Sequence, residues 1–244
     1  MTKLELFVLT WAMYPRRVLI YLHEKGLIES PHLKITPVTI SAAGKMEAPG
    51  KPPGTLPILK LPNGSFIKES AAILDYFEDI CDNPQDDWHR ELAGLSRKNM
   101  TGSTAEERAH MRAVRALADQ ASSLFGFAAR KGSKFFAPFE TLSAEGSRLA
   151  IEYCKRDLKL LEAYYEGDKR LENGEADAAT TIADCALFSL LQFSKAMHAV
   201  DLLTEPELPN LKRFYENFKE RESGKIEEGL YPEDVRQLTS HWLY

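Results

Sequence analysis

The chain has 244 residues, 44% of them apolar and 27% charged. That is enough for one large domain or two modest ones and speaks against global disorder. Lys and Arg total 31 against 36 Asp and Glu, a formal charge of −5, so no basic excess exists to hold phosphates and general nucleic-acid binding is disfavoured. Three scattered cysteines, Cys81, Cys154 and Cys185, do not make a disulfide framework and fit a reducing compartment. No apolar run reaches the roughly 18 residues that span a bilayer. The apolar stretch 6–14 has the length of a signal-peptide core, but Glu5 interrupts its approach, Arg16 and Arg17 follow it, and no small-x-small cleavage site comes next. The expected location is the cytosol, with no membrane partner.

Residues 4–9 form a nearly continuous apolar run and predict a buried strand. Val18, Leu19 and Leu22 then share a helical face, and Gly26 supplies a left-handed stop. Residues 33–38 alternate β-branched residues, so the order is strand, helix, strand, and a parallel pair with a helical crossover is expected. Residues 41–54, with three Gly and three Pro, read as a loop. Residues 55–61 and 65–68 flank Pro62-Asn63-Gly64 and predict a hairpin, since Asn-Gly tolerates positive φ at both positions. A helix follows from Ser70, with Ile73, Phe77 and Ile80 facing inward and Asp75, Glu78 and Asp79 outward.

After Cys81 the texture changes. Residues 82–87 are acidic and rich in breakers, the start of a linker over 83–94. Beyond it no strand is expected. Thr104 and Glu107 form a capping box that opens a helix to about residue 130; further helices are expected over 145–165, from Thr181, and over 211–220. The chain thus reads as an α+β protein of two domains, a βαβ-ββα domain over 1–82 and an all-helical bundle over 95–244. The basic run 130–134 reads as a solvated loop, and the aromatic tail 224–244 as packing on the first domain, ahead of covering a substrate pocket.

One constellation carries chemistry. Gly54-Thr55-Leu56-Pro57-Ile58-Leu59 precedes Asn63-Gly64 and then Glu69-Ser70-Ala71-Ala72-Ile73-Leu74-Asp75-Tyr76. A Pro at a strand start cannot donate to its ladder and leaves a neighbouring backbone edge open. Glu69 and Ser70 sit where a strand gives way to a helix, whose free N–H groups and positive dipole end can receive a carboxylate. An open edge beside an anion pocket suits a small extended peptide bearing carboxylates.

Gly-x-Leu-Pro, the Asn-Gly hairpin and Glu-Ser-x-Ala-Ile-x-x-Tyr together resemble the cytosolic glutathione transferase family. The element order resembles its thioredoxin-like first domain and the helical half its second, and Thr181-Ile182-Ala183-Asp184 resembles its capping box. The resemblance implies that Leu56, before a cis Pro57, offers its backbone to the cysteinyl part of glutathione. It implies that Glu69 and Ser70 hold the γ-glutamyl end, and that Lys45 or Lys51 pairs with the glycyl carboxylate. It also implies a homodimer through the flank of the first domain.

The departure lies at the thiol. Serine- and cysteine-type members place their catalytic residue before a turn ending in Arg-x-Val, and aligning Arg16-Arg17-Val18 puts Ala12 there. No cysteine lies nearby and no Tyr ends the first strand, so neither the serine-, the cysteine- nor the tyrosine-type motif is intact. A free thiol has a pKa near 8.5 and needs help to ionise. Tyr14, Thr10 and the backbone N–H groups of residues 12–14 are the candidates to supply it; Tyr14 serves equally as a packing residue of the acceptor pocket. That pocket is expected between the domains, lined by Trp11, Met13, Tyr14, Met111, Arg112 and Arg115, and to favour an apolar electrophile.

The six histidines make no short-spaced pair with one another or with a cysteine, so no metal is expected. There is no phosphate-cradling glycine loop and no nucleophile elbow. The reading is a glutathione transferase that adds the glutathione thiol to an apolar electrophile. The alternatives are a cis–trans isomerase that adds, rotates and eliminates glutathione, a disulfide reductase anchored on Thr10, and a non-catalytic binding module that Ala12 keeps open.

Overall fold

The computed structural model describes residues 3–41, 45–97, 99–172 and 180–244. The chain divides into two compact units, Met1–Ser103 and Thr104–Tyr244.

The first unit runs β1 (Leu4–Val8), α1 (Met13–Glu24), β2 (Leu33–Pro37), β3 (Thr39–Ile40), β4 (Met46–Glu47), β5 (Ile58–Lys60), β6 (Phe66–Lys68), α2 (Ser70–Asp82) and α3 (Asp87–Leu95). Four strands form one sheet in the order β2-β1-β5-β6, with β1 and β2 parallel across α1 and the remaining pairs antiparallel. This is a thioredoxin-like arrangement. Leu6, Phe7 and Val8 are all buried, so β1 is covered on both faces, as its unbroken apolar run requires. Val18 and Leu22 of α1 and Ile73, Leu74 and Phe77 of α2 are likewise buried, each contributing about 1.5–3 kcal/mol of transfer free energy.

Several local expectations are corrected. The expected loop 41–54 contains β4, which pairs with β3, and its residues 42–44 lie outside the described residues. In the hairpin only Gly64 adopts positive φ, at 85°. The Leu61 carbonyl accepts from the Gly64 N–H and the Leu61 N–H donates to Ser65, which makes a three-residue loop with glycine at the left-handed position. Pro62, with φ held near −65°, fits the first turn position and not a positive-φ pair. Glu78 does not face out. It is buried and accepts from the Tyr21 hydroxyl at 2.7 Å, Lys25 Nζ at 2.8 Å and the Met100 N–H at 3.0 Å, tying α1 to α2. A buried carboxylate is tolerable because its lone pairs are met by these donors. Residues 87–95 of the polar stretch form α3, in which Leu92 is buried.

The second unit is helical: α4 (Ala105–Gly132), α5 (Ala144–Tyr164), α6 (Ile182–His198), α7 (Pro209–Lys219) and α8 (Glu233–Thr239). Both capping boxes form, Thr104 with Glu107 and Thr181 with Asp184. Residues 130–132 of the basic run belong to the last turn of α4, where their cations complement the helix dipole, and Ser133 is buried. The run is therefore not a solvated loop. Gly132 is packed so closely that an added Cβ would lie 2.2 Å from Ser147 Oγ and 2.7 Å from Trp242. The aromatic tail packs within its own unit: Leu243 N–H donates to Gly132, the Trp242 indole N–H donates to the His198 carbonyl, and Tyr244 meets Ser147 at 2.9 Å. Among the described residues no helix is long and apolar enough to cross a membrane.

Candidate functional site

The first unit brings two open backbone elements to the segment that leads into β5 and the one that follows β6. The Leu56–Pro57 peptide is cis. Neither the N–H nor the C=O of Leu56 is engaged by another backbone group among the described residues, so one donor and one acceptor stand free just before β5. Beyond β6, Glu69 caps α2 with φ 73° and ψ 120°, a left-handed value rare for a residue with a side chain. Its carboxylate is exposed and makes no capping bond. Ser70 is the first helical residue and not the cap, and the first turn carries no acidic side chain. The N–H groups of Ser70, Ala71 and Ala72 are consequently first-turn donors without intrahelical acceptors, at the positive end of a 13-residue helix.

Ser70 is buried at 5% exposure, and its Oγ lies 3.4 Å from Nη1 of Arg17, which is 1% exposed. The Arg17 guanidinium also lies over the Tyr14 ring, 5.2 Å from its centre. Tyr14, Arg17 and Ser70 thus form one row running from α1 to the start of α2. From the sequence, Arg17 counted only as a charge after the first apolar run and as an alignment marker. Tyr14, Arg17 and Tyr21 recur at i, i+3 and i+7, a spacing that puts them on one face of α1 and was the available signal.

The start of α1 is open as well. Ala12 is its N-cap, extended at φ −77° and ψ 144°, and provides no side-chain cap. The Ala12 N–H donates to the Leu9 carbonyl at 2.9 Å, and Pro15 has no N–H. This leaves Met13 and Tyr14 as the first-turn donors. Thr10 and Tyr14 are both half-buried, and neither hydroxyl is hydrogen-bonded among the described residues.

The other candidates fall out as follows. Trp11 is half-buried, whereas Met13 is a core residue at 4% exposure and offers little surface to a ligand. Lys45 is exposed in the loop. Lys51 folds its ammonium onto the Pro52 and Gly54 carbonyls at 3.1 and 3.4 Å, and Lys68 reaches Pro53 at 3.0 Å. In α4 of the second unit, Met111 is buried, Arg112 is exposed, and half-buried Arg115 lies 3.9 Å from Asp119. Cys154 and Cys185 are buried, and burial pushes the Cys154 thiol up to about 12, which makes it a poor nucleophile. Cys81 is half-buried, and its thiol is also raised by burial. Among the described residues no group of three or more His, Cys, Asp or Glu is placed to hold a metal ion.

Residues 11–80 match the family model of the glutathione S-transferase N-terminal domain, and residues 132–228 match that of the C-terminal domain. No curated protein matches the sequence. Among solved structures, a glutathione transferase family member from Pseudomonas fluorescens Pf-5 with bound glutathione is 21% identical with TM-score 0.66, over 91% of this chain and 96% of that one. The same relative with bound S-(propanoic acid)-glutathione gives TM-score 0.64 at the same identity and coverage. Gtt2 from Saccharomyces cerevisiae is 18% identical with TM-score 0.64, over 90% of this chain and 98% of that one.

Proposed function

This chain belongs to the glutathione S-transferase family, and on that premise we propose that it binds glutathione along Leu56 and at Ser70 and adds its thiol to an apolar electrophilic small molecule. The observation that carries the reading is the pairing of a free Leu56 backbone edge with the open, acid-free first turn of α2. One end of a short peptide takes the edge, and its γ-glutamyl carboxylate takes the N–H groups and hydroxyl at Ser70. Glu69, held exposed at the cap, faces the γ-glutamyl amine. Lys51 or Lys45 meets the glycyl carboxylate, and of the two Lys51 lies closer in sequence to Leu56. The two ligands of the Pseudomonas relative, glutathione and a thioether derivative of it, are a substrate and a conjugate of this kind.

The thiol must ionise near neutral pH, where only a small fraction of a free thiol does so. Ala12 contributes no hydroxyl. The thiolate is therefore held by the Met13 and Tyr14 N–H groups at the positive end of α1, with the Tyr14 hydroxyl as a further donor. The thiol proton leaves to water and the thiolate sulfur bonds to the electrophilic carbon; the broken bond's electron pair departs with a leaving group or, when the acceptor is an activated double bond, takes a proton back from water, and a thioether forms. Thr10 is the second hydroxyl available.

Ala12 also favours a second reading, a domain that binds glutathione without turnover. Retention on immobilised glutathione, followed by incubation with glutathione and a panel of electrophiles and mass analysis of the products, separates the readings. A thioether supports the transferase. An isomerised substrate with glutathione returned supports the add–rotate–eliminate variant. Retention with no turnover of any electrophile supports the binding domain, and no retention removes all three. In the transferase, Tyr14→Phe lowers turnover at pH 7 about a hundredfold, the low end of what one positioned proton donor supplies. An unchanged pH–rate profile would move the donor elsewhere.

A further inference from the structure

The glutathione site rests against a buried cation that binding alone does not require. Arg17 on α1 is 1% exposed, yet its guanidinium touches two separate parts of the site: Nη1 is 3.4 Å from Ser70 Oγ, and Cζ is 5.2 Å from the centre of the Tyr14 ring. A guanidinium has donors and no acceptor. In the contact with Ser70 the serine oxygen must therefore accept, and the serine's own proton is turned away from Arg17. A serine hydroxyl left to rotate would offer an incoming carboxylate its lone pairs as often as its proton. One held by Arg17 has its proton free for the carboxylate. The same group lies over the Tyr14 ring, a second contact that a lysine ammonium, a compact point charge, cannot reproduce together with the first.

We propose that Arg17 is a positioning residue that couples the two ends of the glutathione site. It orients the Ser70 hydroxyl as a donor toward the ligand's γ-glutamyl carboxylate, and it braces Tyr14, the hydroxyl donor at the thiol. The coupling runs through one side chain because Tyr14 and Arg17 lie three residues apart on α1, while Ser70 lies 53 residues beyond Arg17 at the start of α2. This inference rests on the glutathione reading above and goes beyond it by giving a role to a residue that touches neither the thiol nor the carboxylate.

The test is a double-mutant cycle on glutathione affinity, measured by titration calorimetry on the full chain with Arg17→Lys, Ser70→Ala and the double variant. The ultraviolet absorbance of bound glutathione thiolate is followed against pH in parallel. Each single change is expected to raise the Kd about tenfold, the loss of one hydrogen bond to a charged group. The double variant is expected to bind no more than about twofold worse than the weaker single one, since both changes remove the same oriented contact. Arg17→Lys is also expected to raise the apparent pKa of the bound thiol, and Ser70→Ala to leave it in place. Costs that multiply to about a hundredfold in the double variant, or a thiol pKa that Arg17→Lys does not move, overturn the proposal. Arg17→Gln is carried alongside, and the cycle is read on whichever variant keeps the parent's melting temperature. If the parent chain does not bind glutathione, the glutathione reading falls and this one with it. If the parent binds and loses affinity with Ser70→Ala while Arg17 acts independently, only the role of Arg17 falls.

Discussion

Helices α4 and α6 of the second unit and α1 and α2 of the first begin in opposite ways. In α4 the Thr104 hydroxyl accepts from the Glu107 N–H at 3.1 Å while Glu107 reaches back to the Thr104 N–H at 3.2 Å. In α6 Thr181 and Asp184 do the same, and Asp184 goes on to accept from the Tyr165 hydroxyl at 2.7 Å and from Arg170 at 2.9 Å. The helices of the first unit that follow strands have no such closure. Ala12 has no side chain to give, and Glu69, with φ 73°, turns its carboxylate away. The same obligation, orphan N–H groups at a helix start, is met by a capping box at α4 and α6 and left for a visitor at α1 and α2. Closed starts serve the architecture, and open ones are where a ligand's negative charge is worth most.

That contrast breaks most visibly at Asp184. Asp184→Ala removes the acceptor shared by Thr181, Tyr165 and Arg170 and leaves a buried hydroxyl without its partner. Chemical denaturation should show a loss of about 3–5 kcal/mol, the range for breaking a buried charged pair from one side. Glutathione binding by chains that remain folded should be unaltered.

The far end of α6 is closed by packing, and pH should open it. His198 is surrounded by Phe125, Phe193 and Trp242, with ring centres 5.0–5.7 Å away, and burial pushes its imidazole down to about 4 from 6.5. Below pH 6.5 the unfolded chain takes up a proton that the folded chain refuses. Stability is therefore undiminished above about 6.5 and falls as pH drops toward 4, by at most about 1.4 kcal/mol per unit from this group. Comparing urea midpoints of the parent and His198→Phe across pH 4–7 isolates that slope. Parallel curves would assign the loss to other groups.

At the open start of α2 the effect should move from stability to binding. Ser70→Ala should weaken glutathione about tenfold, roughly 1.4 kcal/mol, and leave the melting temperature nearly unchanged. The reverse is expected at the closed start of α4. Thr104→Ala should cost about 1 kcal/mol of stability with no change in glutathione affinity. A glutathione defect in Thr104→Ala, or a folding defect in Ser70→Ala, would erase the distinction between the two kinds of helix start.

What could be read in advance follows from range. Capping boxes are contacts over three residues, so Thr104–Glu107 and Thr181–Asp184 were visible as spacing. The parallel β1-β2 pair was visible as an apolar run and a β-branched run on either side of a helix with a glycine stop. The Pro57 strand start and the Glu69-Ser70 junction were visible as breaks between elements. What stayed hidden depends on partners far along the chain. Glu78 looked solvent-facing because nothing near it shows that Tyr21 and Lys25 converge on it across 57 and 53 residues. The burial of Arg17 against Ser70, 53 residues away, was hidden for the same reason. Leu92 was overlooked within a stretch whose acidity and proline suggested only a connection, although its burial places α3 against the rest of the first unit. The tail's attachment to Gly132 needed the knowledge that a glycine there leaves room for Trp242.

The proposed function depends on where the thiol tripeptide sits, and a crystal structure of the chain soaked in glutathione tests that placement directly. The ligand should run beside Leu56, exchange hydrogen bonds with its N–H and C=O, place its γ-glutamyl carboxylate on the Ser70 N–H and hydroxyl, and point its sulfur at the first turn of α1. Density for glutathione elsewhere, or a site that stays empty at saturating concentration, would contradict it.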